Sequence, residues 1–283
     1  MNKATALTAE KDKDKNSAFD YFRVELKRRV GIAISDNKGE MINGRLRKRL
    51  NELKLADFEQ YATYLKSISD NHAEWETFVN CLTTNKTDFF REPEHFNFLT
   101  QELLPEWRAQ KQSEFNVWCA ASSTGEEPFT LSMVLNKVQK SNPFRYSILA
   151  TDIDSDVLAK AKRGVYPKAK LDEIPHDYQK DSVALGTGEI DKWFKIKNSL
   201  RVVLSYQRCN LVQTPYSIQK KFDVIFCRNV LIYFTPETIG QVADGLYEAT
   251  KPGGYLIIGH SESLHNVTSK WQYVKPSIYK KKG

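Results

Sequence analysis

The segment at residues 222–234, FDVIFCRNVLIYF, constrains the fold of this 283-residue chain more than any other. It begins as an apolar run of strand length, stops at the polar pair Arg228-Asn229 and then presents the hydroxylated ring of Tyr233. In an open α/β sheet, ligands lie in the crevice beyond the carboxyl ends of the strands. We therefore expect Arg228, Asn229 and Tyr233 to lie at a reacting centre.

Two upstream segments have the same form. Residues 115–121 run into the polar loop SSTGEEP at 122–128, and residues 146–151 end at Asp152. Each apolar run therefore stops at a small, acidic or amide residue, as residues 222–227 do. Three strands of this kind predict a pocket for a nucleotide-type cofactor.

From residue 83 onward, strand patterns alternate with helix patterns, which predicts a largely parallel, doubly wound sheet. The strand candidates are residues 115–121, 146–151, 201–206, 222–227 and 254–259, with 271–280 as an arm of a closing hairpin. The helix candidates are residues 93–109, 127–140, 155–163 and 236–250. At about 166–200, prolines, glycines and a short alternating stretch interrupt this order, so we expect an inserted small β or mixed subdomain there.

The amino-terminal part has a different pattern. Residues 1–16 are polar and charged, which predicts a disordered tail. Within residues 17–80, four segments space apolar side chains as helices do, beginning with Phe22 and Leu26. We therefore expect a small all-α domain at 17–80. Residues 81–92 would link it to a second domain at 93–283 and contribute to the active site.

A one-signed basic cluster lies on the second predicted helix. It consists of Arg45, Arg47, Lys48 and Arg49, with no acid among them. The cluster is either a solvated helix face or a docking surface for an acidic partner. The net charge of +7 also suggests an acidic partner, but it does not choose among nucleic acid, an anionic membrane face and an acidic protein.

Several classes of protein do not fit the composition. No apolar run approaches the ~20 residues that cross a bilayer, and the first residues lack the apolar core of a signal peptide. The four cysteines show no CxxC or CxxH pairing, which predicts reduced thiols and a cytoplasmic protein. A hydrophobic content of 41% is ample for a folded core.

The loop at 122–128 limits the chemistry of the ligand. A dinucleotide site uses G-x-G-x-x-G and a helix terminus that is free for pyrophosphate. This loop has only Gly125, and its carboxylates Glu126 and Glu127 would repel a diphosphate. The amino group and sulfonium of S-adenosylmethionine (AdoMet) would suit it, with Glu127 bonding the amino group. Taken alone, the loop also fits an ordinary strand-to-helix turn.

Asp152 strengthens the cofactor hypothesis. It lies 27 residues past Gly125, where Rossmann-like folds place an acid against ribose hydroxyls. Asp154 is expected to cap the helix that begins near Ser155. Asn210, with Leu211, follows a predicted strand and either brackets an adenine or is a turn residue.

Five segments carry a family resemblance. They are TTNKTDFFRE at 83–92, STGEEP at 123–128, ATDID at 150–154, FCRNVLIYF at 226–234 and KPGGYL at 251–256. Their order resembles that of CheR, the chemotaxis receptor glutamate O-methyltransferases. The resemblance covers residues from about 17 to 280, and the pairing of T-x-x-T-x-F-F-R with C-R-N-V-x-I-Y-F makes it specific.

The resemblance implies a fold and an activity. The fold is α/β: a Rossmann-like class I AdoMet-dependent methyltransferase with a small all-α N-terminal domain and an inserted β-subdomain. The activity is methylation of glutamate side chains in the cytoplasmic domains of chemoreceptors, with AdoMet as cofactor and S-adenosylhomocysteine (AdoHcy) as product. A cytoplasmic monomer that uses no metal, binds no nucleic acid and does not insert into membranes is expected.

The resemblance also implies residue roles by matched position. The cofactor contacts would be Asn85, Thr87, Arg91, Gly125, Glu127, Asp152, Asn210, Leu211, Arg228 and Asn229. Arg91 and Tyr233 would face the transferred methyl group as catalytic residues. The basic cluster would match the receptor-docking helix of the family.

Elementary chemistry agrees with this activity. A glutamate carboxylate with a reference pKa of ~4.3 is already ionised at neutral pH, so it needs neither a base nor a covalent intermediate. Alignment with the S–CH₃ bond supplies ~7–11 kcal/mol of such a barrier. Some family members also bind a receptor pentapeptide through the inserted subdomain. Here Gly186 and Gly188 are present but a further glycine is missing, which disfavours that tether.

Two other functions fit the sequence less well. A nucleic-acid methyltransferase would suit the pI of about 9.0, but the Arg228-Asn229 strand end lacks the Asn/Asp-Pro-Pro-aromatic motif of amino-group methylation. Cytosine C5 chemistry needs an exposed nucleophilic cysteine, whereas Cys227 ends a predicted buried strand. A non-catalytic AdoMet-binding adaptor is disfavoured because every pocket residue is present.

Overall fold

The computed structural model describes residues 18–265, 267 and 270–283. The described chain forms two compact units. One comprises the chain up to Thr84 together with Tyr233–Thr235, and the other comprises Asn85–Ile232 with Pro236–Gly283. The predicted tail at 1–16 lies outside the described residues.

The smaller unit is built from helices. They are α1 at 18–30, α2 at Gly39–Leu53, α3 at Phe58–Ser67 and α4 at Glu74–Leu82, with a 3₁₀ turn at Asp36–Lys38. The predicted stripe of α1 is buried, and the Phe22 ring lies 5.7 Å from the rings of both Tyr61 and Phe78. Asp57 caps α3 by accepting a hydrogen bond from the Gln60 amide. The all-α part of the predicted fold is therefore confirmed.

The basic cluster on α2 is not one free face. Arg45 donates to the carbonyls of Leu82 and Thr83, and Arg49 pairs with the buried carboxylate of Glu74. Only Arg47 and Lys48 of the cluster are exposed. Two of the four cations therefore hold helices of their own unit together.

The larger unit contains a seven-stranded sheet of order β6-β2-β1-β7-β8-β10-β9. Its strands are β1 Glu114–Cys119, β2 Arg145–Asp152, β6 Leu204–Arg208, β7 Phe222–Cys227, β8 Thr250–Ile258, β9 Gln272–Lys275 and β10 Ile278–Lys280. The first five in this order pair in parallel, and the last two form an antiparallel hairpin against β8. The chain order reverses between β1 and β7, so the carboxyl ends of these two strands flank the crevice where ligands bind.

The helices of this unit follow the predicted order. They are α5 Glu94–Phe98, a π-helical turn Leu99–Leu103, α6 Leu104–Ala109, α7 Glu126–Ser141, α8 Ser155–Arg163, α9 His176–Ser182, α10 Asn198–Arg201 and α11 Pro236–Ala249. Two strand starts were wrong: the strand predicted at 254–259 begins at Thr250, and the strand predicted at 201–206 begins at Leu204. The short helix α10 precedes it because Leu200 is buried and its carbonyl accepts a hydrogen bond from Ser132.

The inserted subdomain is a three-stranded antiparallel sheet of order β3-β5-β4. Its strands are β3 Val165–Pro167, β4 Val183–Leu185 and β5 Trp193–Ile196. Tyr166 and Phe194 pack in one apolar cluster with Phe129 of α7 and Phe89. The predicted insertion in a mostly parallel sheet is therefore confirmed. In the part of the chain that the structure describes, no helix has the length and apolar character to cross a membrane.

The Arg49–Glu74 pair generates a prediction about stability. Arg49→Met leaves the Glu74 carboxylate, of which 3% is exposed, without its cation. Loss of one partner of a buried pair costs about 3 kcal/mol, and we expect that decrease in the free energy of unfolding, measured by urea denaturation. The exposed Arg47→Met on the same helix is the matched control, with an expected change of about 0.5 kcal/mol or less. Equal losses in the two variants would contradict the structural role.

Candidate active site

The loop after β1 depends on its glycine. Gly125 has φ of 101° and is the N-cap residue immediately before α7. A Cβ at this position would lie 2.8 Å from both the Ala161 Cβ and the Tyr166 hydroxyl. Any larger residue would be strained in conformation and would clash with α8 and the insertion. The requirement for glycine at position 125 thus comes from packing within the protein.

Asp152 ends β2 and is 7% exposed. Its carboxylate accepts hydrogen bonds from the amides of Ser123, at 2.8 Å, and Asp154, at 3.0 Å. Burial raises the pKa of Asp152 to about 6, although these hydrogen bonds favour the ionised form. Because each carboxylate oxygen can accept a second hydrogen bond, Asp152 can also bind ligand hydroxyls.

The residues around Asp152 form the first part of the rim of the site, by which we mean the loops at the carboxyl ends of the strands. Asp154 caps α8 by accepting from the amides of Asp156 and Val157, as predicted. Asn85 donates to the other oxygen of Asp154 at 2.8 Å, and its carbonyl accepts from the Ser123 hydroxyl. Residue 85 is therefore held directly beside the β1 loop.

Arg228 carries the buried positive charge of the site. It follows β7 directly, and only 1% of its side chain is exposed. It donates to Glu127 at 2.5 Å, to Glu92 at 3.0 Å and to the carbonyl of Arg91 at 2.5 Å. Burial opposes its charge, but the carboxylates of Glu127 and Glu92 raise the pKa of the guanidinium above its ordinary value.

Glu127 lies at the start of α7, between β1 and Arg228. It accepts hydrogen bonds from Arg228 and, at 3.1 Å, from the Cys119 thiol. Burial raises the pKa of Cys119 well above its ordinary value, which keeps it a thiol. With 12% of its side chain exposed, Glu127 retains a face for a cationic ligand group.

Arg91 lies in an unusual backbone segment. Phe90 and Glu92, on either side of it, have φ of 54° and 56°, a region that side chains other than glycine rarely adopt. The Arg91 side chain is 36% exposed, and its guanidinium donates to the carbonyl of Lys86 at 3.3 Å and lies 4.0 Å from the Glu92 carboxylate. Nearby, the carbonyl of Thr87 accepts from Lys170. The exposed part of Arg91 is free to reach a ligand.

Two acids that the sequence reasoning missed also organise the rim. Glu92 accepts from Arg228, the Asn229 amide group and the backbone of His260. Glu262 is 8% exposed and accepts from the amides of Asn229, Ile232 and, at 2.6 Å, Gly259. A weaker signal for Glu262 was available, because it lies four residues past the end of β8, in a loop at the same edge of the sheet as Asp152 at the end of β2.

A metal site at this rim has little support from the charges. Glu92, His95 and His260 offer ligand atoms that lie within 4.8 Å of one another. Arg228 already pairs with Glu92, and burial together with that charge lowers the pKa of His95 to about 3. The surroundings therefore oppose a further cation. The expectation of a metal-free site stays a prediction.

Asn210 and Leu211 follow β6 beside β2, where the Cys209 amide donates to the carbonyl of Asp152 at 2.9 Å. Leu211 is buried. The Asn210 side chain accepts from the Val212 amide at 3.3 Å, which is turn geometry. The turn interpretation of Asn210 is therefore supported, and its contact with adenine stays a prediction.

Tyr233 groups with the helical unit rather than with β7. Its carbonyl accepts a hydrogen bond at 2.8 Å from the amide of Ala33. Its predicted role beside the transferred methyl group stays a prediction. The predicted residues that the larger unit gathers at the carboxyl ends of its strands are Asn85, Arg91, Gly125, Glu127, Asp152, Asn210, Leu211, Arg228 and Asn229, with Thr87 in the same incoming segment.

Comparisons with known proteins cover most of the chain. Residues 85–280 match the CheR methyltransferase SAM-binding domain (SAM is AdoMet), and residues 17–83 match the CheR methyltransferase all-alpha domain. The chain is 36% identical over 251 residues to the chemotaxis protein methyltransferase of Salmonella typhimurium, covering 89% of this chain and 85% of that one. It is 35% identical to the protein of that name from Borreliella burgdorferi, covering 89% of each. Both domains and both relatives agree: the chain belongs to the CheR methyltransferase family.

Proposed function

We propose that this protein transfers a methyl group from AdoMet to glutamate side-chain carboxylates of chemoreceptor cytoplasmic domains, forming methyl esters. The observation that carries the proposal is the buried Arg228, which joins Glu127 to the Arg91 segment at one strand edge. The match of both domains to CheR supports the same activity, and the names of the relatives support a chemotaxis substrate. The protein acts as a monomer in the cytoplasm in this proposal.

The polar side chains of the rim fit AdoMet. Glu127 would hold the cationic amino group, and Asp152 would bind the ribose hydroxyls through its free acceptor sites. Asn210 and Leu211 would flank the adenine, while Asn85, Thr87 and Asn229 would complete the contacts. When bound, AdoMet supplies an electrophilic methyl carbon, to which a carboxylate oxygen bonds while the sulfur keeps the electron pair of the broken S–CH₃ bond.

The chain itself contributes positioning. The substrate carboxylate is ionised at neutral pH, so no group of the protein has to remove a proton. Arg91 orients that carboxylate with its exposed guanidinium, and Tyr233 packs or hydrogen-bonds at the transfer point. Arg228 stays committed to Glu92 and Glu127, so it sets the geometry without competing for the substrate.

Docking of the receptor is assigned to the helical unit. Lys48 is 89% exposed, and Arg47 beside it is also exposed. These two cations make only exposed contacts along α2, Lys48 with Glu52 at 3.8 Å and Arg47 with Asn43 at 3.3 Å, so both can meet an acidic receptor surface. Arg45 and Arg49 instead bond to buried or backbone groups of their own unit. We therefore propose Arg47 and Lys48 as the direct docking contacts, with Arg45 and Arg49 supporting the helix that carries them.

The direct test is a methylation assay with radiolabelled AdoMet and a purified receptor cytoplasmic fragment. A glutamyl methyl ester releases volatile labelled methanol in alkali, so base-labile label on the receptor supports the proposal. Base-stable label on RNA would identify a nucleic-acid methyltransferase instead. AdoMet binding without any transfer would identify an adaptor.

Asp152 generates a prediction about pH. Because its pKa is raised to about 6, protonation below that pH replaces one acceptor with a donor and weakens its bonds to ribose hydroxyls. We expect the affinity for AdoHcy, measured by calorimetry, to rise with pH through about 6 and to level off above it. Asp152→Asn should bind more weakly and should lose this pH dependence. The same pH dependence in both proteins would remove Asp152 from the ribose site.

The exposed cations generate a prediction about docking. Reversing Arg47 and Lys48 to Glu should raise the KM for the receptor fragment by about tenfold at low ionic strength, where such charges act most strongly. The affinity for AdoHcy should stay unchanged. A matched control reverses the exposed Lys160 and Lys162 of α8, which changes net charge equally. An equal rise in KM in the control would show that only net charge matters.

A further inference from the structure

The function proposed above uses Glu92 only as a partner of Arg228, yet its carboxylate accepts three hydrogen bonds from three different residues. One carboxylate oxygen accepts from the Asn229 side chain at 3.1 Å. The other accepts from Arg228 at 3.0 Å and from the His260 amide at 3.2 Å. Glu92 therefore ties the ends of β7 and β8 to the segment that contains Arg91.

The same guanidinium nitrogen of Arg228 contacts two consecutive residues. Its Nη2 donates to the Arg91 carbonyl at 2.5 Å and to the Glu92 carboxylate at 3.0 Å. One nitrogen of Arg228 thus holds both the Arg91 carbonyl and the Glu92 carboxylate. This clamp fixes the backbone of Arg91, and the Glu92 carboxylate also lies 4.0 Å from the Nε of the Arg91 guanidinium.

The segment needs such a clamp because its backbone is strained. Phe90 and Glu92 both have positive φ, at 54° and 56°, and strained residues persist only where their surroundings determine them. On the amino-terminal side, the Phe90 amide donates to Thr130 and the Phe89 amide donates to Glu173. On the carboxyl-terminal side, the restraint comes from Glu92 and its partners.

We propose that Glu92 is a positioning residue for methyl transfer, acting through Arg91. By holding Arg228 and Asn229 together, its carboxylate keeps the segment 89–92 in the conformation that aims the Arg91 guanidinium at the substrate carboxylate. This inference rests on the proposed function, because it assigns Glu92 a role in that reaction. Glutamine has nearly the same shape, but its NH₂ group would face donors that now meet an oxygen.

The test is a double-mutant cycle of wild type, Glu92→Gln, Arg91→Ala and the double variant, with kcat and KM for AdoMet measured in the receptor assay. We expect Glu92→Gln to lower kcat by about 30-fold while KM for AdoMet changes less than about threefold. Arg91→Ala should lower kcat by about 100-fold, with AdoHcy binding reduced but measurable. The double variant should lie within about threefold of Arg91→Ala, because Glu92 acts through Arg91.

A purely structural role for Glu92 gives a different result. The two losses would then multiply in the double variant, and this outcome would overturn the proposal, as would an unchanged kcat in either single variant. Glu94→Gln is the matched control, because Glu94 is exposed, lies two residues away and, among the described residues, pairs only with the exposed ring of His260, at 3.8 Å, so the variant should keep full activity. If Glu92→Gln does not fold, the same cycle with Glu92→Asp, which keeps the charge but shortens its reach, applies.

A failure of the proposed function would give a third result in the same assay. If wild type itself forms no base-labile ester on the receptor fragment, the activity is wrong. If wild type forms the ester but the two losses multiply, only the role of Glu92 is wrong.

Discussion

The buried ion pair network of Arg228 is the interaction on which the rest of the site depends. A guanidinium with 1% of its side chain exposed is tolerable only if opposite charges surround it. Glu127 and Glu92 provide those charges from two different segments of the chain. Satisfying one buried cation therefore brings the start of α7 and the Arg91 segment to the end of β7. The geometry of the site is a consequence of that electrostatic requirement.

The acids of the rim are held in place by backbone amides and buried donors rather than by mobile surface contacts. Asp152 and Glu262 each accept hydrogen bonds from the amides of neighbouring loops. Such carboxylates link strand ends together, so the loops that bind the ligand are positioned before it arrives. A preorganised, negatively charged rim suits a ligand with a cationic amino group and hydroxyls, which is the chemistry of AdoMet.

The sequence predicted the framework of the site because strand ends are local signals. An apolar run followed by a polar residue located Asp152 and Arg228, and the cap at Asp154 followed from its position before a helix. The start of the strand predicted at 201–206 was placed too early. Burial of Leu200 is a tertiary effect, and it favours a short helix there. The bonds of Arg45 to Leu82 and of Arg49 to Glu74 were equally invisible, since these two partners lie 25 residues or more away in the chain. Glu92 lies within the motif at 83–92, but its three donors come from residues more than 130 positions away.

We infer that Arg228 holds the Arg91 segment in its strained conformation. Hydrogen exchange of Arg228→Met and wild type, followed by mass spectrometry of peptides spanning residues 85–95, tests it directly. We expect faster exchange at 89–92 in the variant, while the strands β1, β2 and β7 keep their protection. Loss of the Arg228 contacts is enough to let the segment open locally without unfolding the sheet. Unchanged protection at 89–92 in a folded variant would contradict it.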